Sequence, residues 1–255
     1  MTAPIGQDEK SQRDRQLSLK ILLIVPFVTQ VIAAVGITGW LSVQNGREAT
    51  QELAPQIGQE VTNTIEAHVR GYFDAPLQTL EAHGAIAMAG YLDFENLENS
   101  ESVNKLFWQQ MRQSQNLYFF YAANPKGQFV GVERRENDAL VLHRSTLTNS
   151  LSTAPLKKSI YALDANGKAL NQIDVNIYDP RDRPWYKTAL KAKQTIWSQV
   201  YPFVARPILG ITASLPIYSE SGNLRGVIAI DLTLSQISDF LKQLKISKTG
   251  QAFIL

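Results

Sequence analysis

The chain has 255 residues and not one cysteine. Disulfides, thiolate metal sites and a cysteine nucleophile are thereby excluded. The redox compartment stays open, because a core of this size can stand without covalent staples. Histidine is almost as scarce: His68, His83 and His143 are the full set. None lies in a motif such as G-x-S-x-G or H-E-x-x-H, so the chain reads as a non-enzyme with no metal site and no cofactor. An excess of one charge is missing too. Lysine and arginine number 25 against 23 acids, a net charge of +2, and the basic residues are scattered rather than interleaved with aromatics. Nucleic acid is therefore not an expected partner. With 44% hydrophobic and 19% charged residues, the composition is that of a folded protein rather than a disordered one.

The sharpest absence is local. From Ile21 to Val43 there is no charge, and only Thr29, Gln30, Thr38 and Ser42 are plainly polar. At about 1.5 Å per residue such a helix crosses a hydrocarbon layer of roughly 30 Å. Trp40 falls near its outer end, where an interfacial aromatic is expected. Lys10, Arg13, Arg15 and Lys20 precede the run, and only Arg47 follows closely. The positive-inside rule then predicts a cytoplasmic tail over 1–20, a single transmembrane anchor over 21–43, and an extracytoplasmic remainder in a bacterial-type inner (plasma) membrane. A cleaved signal peptide fits less well: its apolar core is shorter, and no small-residue cleavage site follows Trp40. A buried core helix is the other alternative.

Beyond the anchor, Leu53, Ile57, Val61, Ile65, Val69, Tyr72 and Leu80 recur at near-four spacing, which predicts a long amphipathic helix over 44–90. Gly71 and Pro76 are expected to kink or break it. Its apolar stripe can pack on its own domain or on the same helix of a second copy, making a homodimer. From Leu117 the rhythm turns to short strands and tight turns. Strands are predicted for 117–122, 128–133, 139–145, 159–163, 172–178, 196–203, 208–217 and 224–232, with turns at Asn124-Pro125-Lys126-Gly127, Asn166-Gly167 and 219–223. Helices are predicted for 184–193 and, capped by Thr233, up to Leu244. Sequence-adjacent strands on tight turns make an antiparallel sheet with helices packed on it, an α+β, PAS-like module.

Two places carry chemistry. The run Tyr178-Asp179-Pro180-Arg181-Asp182-Arg183-Pro184-Trp185-Tyr186 puts Pro184 at a helix start. Arg183 then sits at a helix N-terminus, where free N–H groups favour an anion, and its guanidinium matches a carboxylate. The indole N–H of Trp185 is a further donor. The plainer reading is that Asp182 caps the helix, Arg183 meets a surface acid, and Trp185 and Tyr186 are core. The second place is Asp231. Alternation puts it with Val227, Ala229 and Thr233, opposite Ile228, Ile230 and Leu232. On the preceding strand Gly210, Thr212 and Ser214 oppose Leu209, Ile211, Ala213 and Leu215. Small residues around one carboxylate predict a concave pocket, and a buried carboxylate demands a cation, from a ligand or from a lysine or arginine of the chain.

These residues resemble the double Cache sensor family, an extracytoplasmic input module of bacterial chemoreceptors and sensor histidine kinases. The likeness runs from the anchor through the long helix to Leu244. Tyr178, Arg183-Pro184-Trp185-Tyr186, Tyr201 and Asp231 are similar in type, order and spacing to the amino-acid-binding subset. The resemblance implies that Arg183 and Trp185 hold an α-carboxylate. It implies that Asp231, helped by tyrosines among Tyr178, Tyr186 and Tyr201, holds an α-ammonium. The small-molecule ligand is then an L-α-amino acid, with an amine, a purine or an organic acid as the alternative. Residues 91–245 would be the membrane-distal module. Residues 246–255 look like the start of an incomplete membrane-proximal one, which would make the chain a truncated receptor fragment or one that signals through another receptor.

Overall fold

The computed structural model describes residues 19–146, 156–204, 206 and 208–244. It forms two compact units, Met1–Asn63 and Thr64–Leu255. The expected start of a second module over 246–255 lies outside the described residues. The first helix, α1, runs Leu19–Met88. Within it Leu23–Arg47 is long and apolar enough to cross a membrane, and none of that stretch is buried in the chain. Phe27 and Ile32 stand 66% and 67% exposed, an apolar surface suited to lipid. Thr29 and Thr38 donate their hydroxyls back to the carbonyls of Val25 and Ala34, each at 2.7 Å, so neither leaves a polar group unsatisfied.

Gly71 and Pro76 do not break α1, contrary to the sequence expectation. An interior proline costs a helix about 3 kcal/mol. The turns on either side of it are packed: Tyr72 stacks on Phe240 at 4.1 Å, and Leu80 is fully buried. Of the proposed self-association stripe, Ile57 is exposed, Val61, Ile65 and Val69 are half-buried, and the Leu53 side chain lies outside the described residues.

The second unit is built on one antiparallel sheet. Its strands are β1 Phe119–Ala123, β2 Phe129–Arg134, β3 Leu140–Thr146, β4 Lys157–Leu163, β5 Ala169–Ile177, β6 Ile196–Trp197, β7 Tyr201–Pro202, β8 Leu209–Tyr218 and β9 Leu224–Thr233. They lie in the order β5-β4-β3-β2-β1-β9-β8-β6, with β7 also paired to β8. Gly127 and Gly167 take the positive φ that the predicted turns require. The strand expected over 196–203 is instead the two short pieces β6 and β7. Ser198 separates them, its N–H on the Thr212 carbonyl at 2.8 Å and its hydroxyl accepting from the Thr212 N–H at 3.0 Å.

Helix α2, Glu101–Gln113, begins at Ser100, whose hydroxyl accepts from the Val103 N–H. No element is predicted there from sequence. Helix α3, Pro184–Ala192, starts on Pro184 as expected. Helix α4, Leu234–Gln243, carries the predicted Thr233 cap, completed by Gln236 into a reciprocal capping box. One face of the sheet buries Phe120, Ile228, Ile230 and Leu232 against Leu80, Phe107 and Met111 of α1 and α2. The other buries Phe119, Tyr121, Val227 and Ala229 against Trp185, Tyr186 and Ala189 of α3.

Candidate functional site

Alternation on β9 sends Asp231 to the α3 side of the sheet, as the sequence pattern requires. It faces a cleft of about 40 Å³ lined also by Tyr178, Arg183, Trp185 and Tyr201. Five of the six predicted site residues are thus brought together. Tyr186 is not among the lining residues; it is buried behind Trp185, with the ring planes edge to face and 5.4 Å between centroids. The small residues of β8 and β9 do not line the cleft either. Ser214 supports α3 instead, its hydroxyl donating to the Trp185 carbonyl at 3.2 Å.

Asp231 is 4% exposed. Its Oδ1 accepts from the Tyr121 hydroxyl at 2.7 Å and the Thr212 hydroxyl at 2.6 Å. Tyr201 lies 2.6 Å from Thr212 Oγ1; since the single Thr212 proton is committed to Asp231, Tyr201 donates to Thr212. Asp231 is therefore held directly by Tyr121, which the sequence does not single out, and by Tyr201 only through Thr212. The hydroxyl of Tyr178 instead accepts from the indole N–H of Trp185 at 3.3 Å. Burial raises the Asp231 pKa to about 7, against the pull of the two hydroxyl bonds. Among the described residues no lysine or arginine lies within ion-pair distance of it.

Arg183 is the N-cap of α3 and makes no side-chain cap bond. Its Nη2 donates to the Pro202 carbonyl at 3.3 Å, and its Cζ stands 5.9 Å from the Tyr201 ring centroid. It has no acid partner among the described residues, while Asp182 meets Lys187 at 3.5 Å on the surface. Of the plainer reading of this run, the Asp182 cap and the Arg183 ion pair are not formed among the described residues, whereas Trp185 and Tyr186 are both buried in the core as it expects.

The opposite wall holds charged residues that sequence reasoning did not single out. Glu133 of β2 accepts from Tyr118 at 2.5 Å, from Arg206 at 2.6 Å and from His143 at 2.7 Å, and meets Arg135 at 3.1 Å. Burial alone would raise its pKa, but the bonds from His143, Tyr118 and Arg206 hold it well below the usual carboxylate range. Burial lowers His143 to about 4, which leaves it neutral. Lys158 of β4 also lines the cleft, only 3% exposed. The signal that could have found these residues is pairing in register. Phe119 faces both Asp231 and Glu133, Gly131 faces His143, and Ser145 faces Lys158, so one face of the sheet carries them all. Gly131 lets Tyr121 and Phe119 pack over β2: a Cβ there would fall on both side chains.

Residues 127–239 match the family described as methyl-accepting chemotaxis protein-like, first PDC sensor domain. Over 77 residues the chain is 38% identical to the methyl-accepting chemotaxis protein McpB of Bacillus subtilis (strain 168), covering 30% of this chain and 11% of that protein. Over 98 residues it is 32% identical to the methyl-accepting chemotaxis protein McpA of Pseudomonas putida, covering 37% of this chain and 15% of the relative. The chain thus spans only a small part of these curated relatives. The ligand-binding domain of the Campylobacter jejuni chemoreceptor Tlp3, solved with L-valine, aligns over 79% of this chain and 66% of that one, with a TM-score of 0.50 and 15% identity. That likeness is one of fold: a long helix followed by an antiparallel sheet flanked by helices. Residues 127–239 are therefore similar to the sensor domains of the methyl-accepting chemotaxis protein-like first PDC family, and the fold around them is that of the solved chemoreceptor ligand-binding domain.

Proposed function

We propose that the chain is the extracytoplasmic input domain of a bacterial transmembrane signalling receptor, and that its cleft binds an L-α-amino acid by both ends of the backbone. The observation that carries this reading is Asp231: a buried carboxylate without a cation partner among the described residues, in the same cleft as Arg183. An ionised carboxylate so placed is costly until a cation reaches it. An α-ammonium supplies that cation, with Tyr121 and Thr212 holding the carboxylate in position. Arg183, at the start of α3, takes the α-carboxylate with Trp185 beside it.

Calorimetry on the full chain with an amino acid, its decarboxylated amine and its deaminated acid tests the reading. Both truncated compounds are expected to bind far more weakly than the parent, since each leaves one buried charge unmatched. An amine that binds as tightly as the amino acid would reduce Arg183 to a structural residue. A deaminated acid that does so would remove Asp231 from the site. The orientation of the anchor is tested separately, by a reporter active only outside the cytoplasm and fused after Leu244. It is expected to be active; activity only from a cytoplasmic reporter there would overturn the extracytoplasmic placement.

A further inference from the structure

The amine of Lys158 stands out when the charges around the cleft are paired off. Glu133 is taken up by Arg206 and Arg135. On the amino-acid reading, on which this inference rests, Asp231 meets the α-ammonium and Arg183 the α-carboxylate. Lys158 is left over. It has no ion pair among the described residues, and its Nζ is held among aromatic rings, 4.1 Å from the Tyr178 centroid, 5.3 Å from Phe129 and 6.0 Å from Phe119. Ring faces attract a cation but accept none of its three N–H donors in an ordinary hydrogen bond. The arm is thus fixed in place with its hydrogen-bonding capacity unspent, at 3% exposure, facing the cleft.

We infer that Lys158 is the recognition residue of a side-chain subsite that takes an anionic group, so that the cleft selects an acidic α-amino acid over its neutral amide. The placement supports this. Lys158 stands on β4, opposite Ser145 of β3 and Asn176 of β5, whereas Asp231 stands on β9. The strand order puts β3, β2 and β1 between them, so the two charges approach the cleft from different sides. A ligand held at its α-carbon near Asp231 and Arg183 would extend its side chain toward Lys158. Burial lowers the Lys158 pKa to about 8, opposed by Glu133 and Asp231, and the amine stays mostly protonated at neutral pH. A carboxylate on the ligand supplies the acceptor that the rings do not. An amide carbonyl can accept one bond there but brings no counter-charge, and this difference is what separates the two ligands.

The test is calorimetry at neutral pH on the full chain in detergent, with L-aspartate and L-glutamate against L-asparagine and L-glutamine. At least one acid is expected to bind on the order of ten- to a hundredfold more tightly than its amide. In Lys158→Met the ratio is expected to collapse toward one, with amide affinity retained. Retained amide binding also shows that the variant is folded, and if it does not fold, the acid-to-amide ratio of the unaltered chain decides alone. Amides that bind as well as acids overturn the role of Lys158 and leave the amino-acid reading standing. Equal loss of acid and amide binding in Lys158→Met also overturns it, because the amine would then be holding the α-carboxylate. If no amino acid binds while an amine or a simple carboxylic acid does, the amino-acid reading has failed and the subsite with it.

Discussion

The two faces of the sheet are made by the same strands and do opposite things. On one, Phe120, Ile228, Ile230 and Leu232 pack on Leu80, Phe107 and Met111, and the hydrophobic effect works without opposition. A polar residue there, His83, is buried, with Nδ1 2.8 Å from the Thr79 carbonyl and its ring edge-on to Phe120. On the other, the residues one position along are Phe119, Tyr121 and Asp231, with Glu133, His143 and Lys158 across the neighbouring strands. Here buried charges keep a desolvation cost that a ligand can offset. A period of two lets one strand serve both purposes, because adjacent side chains point into different environments. On the proposed function, stability and recognition are separated by half a repeat rather than by domain.

The largest expected effect breaks the apolar face. Phe120→Ala should cost about 3–5 kcal/mol of stability in denaturant titrations. Ligand affinity, measured under conditions where the variant is folded, should not change; a matching loss of affinity would mean the two faces are not independent. Asp231→Asn should do the reverse. On the proposed function it weakens amino-acid binding by about 2–5 kcal/mol, while the ligand-free chain becomes more stable at neutral pH because a buried charge is gone.

The pH dependence sharpens the same contrast. With its folded pKa raised to about 7, Asp231 binds a proton more readily in the folded chain than in the unfolded one. Its contribution to stability is full below the ordinary aspartate range and is lost as pH rises through about 7. His143, lowered to about 4, acts in the opposite sense: its contribution is full above the ordinary histidine range and is lost as pH falls toward 4. The difference between the unaltered chain and Asp231→Asn isolates the aspartate. That difference should turn against the unaltered chain as pH rises from about 4 to about 7, and ligand affinity should climb over the same interval. A flat difference would place the titration elsewhere in the cleft.

Smaller effects lie outside both faces. Thr233→Ala removes the hydroxyl half of the α4 capping box and should cost about 1 kcal/mol with no change in binding. For the proposed homodimer, Leu53→Glu with Val61→Glu should shift sedimentation toward the monomer and leave ligand affinity untouched. Unchanged sedimentation would remove the dimer.

Most strands and the helices α3 and α4 were legible because each is announced locally. Asn124-Pro125-Lys126-Gly127 and Asn166-Gly167 are turns by composition, Pro184 starts a helix, and Thr233 caps one. Helix α2 was missed although Val103, Phe107, Trp108 and Met111 recur at helical spacing behind Ser100. Pro76 was misread for a different reason: local propensity favours a break there, and packing of Tyr72 and Leu80 on either side overrides it. In the site, Asp231 could be placed on the correct face because strand alternation is a local rule. Tyr186 could not be excluded, since only the seating of α3 decides which aromatic lines the cleft and which lies behind it.

By itself the sequence determined the apolar span, the order and type of most elements, and the side of β9 from which Asp231 projects. These follow from hydropathy, turn chemistry and a period of two, all readable within a few residues. Only the tertiary structure decided that Tyr121 and Thr212 hold Asp231, that Glu133 is satisfied by Arg206 and His143, and that Lys158 has no ion pair among the described residues. Tyr121 and Asp231 are 110 positions apart in the chain. What joins them is the pairing of β1 with β9, and that register is set by burial of a whole face rather than by any residue near either partner.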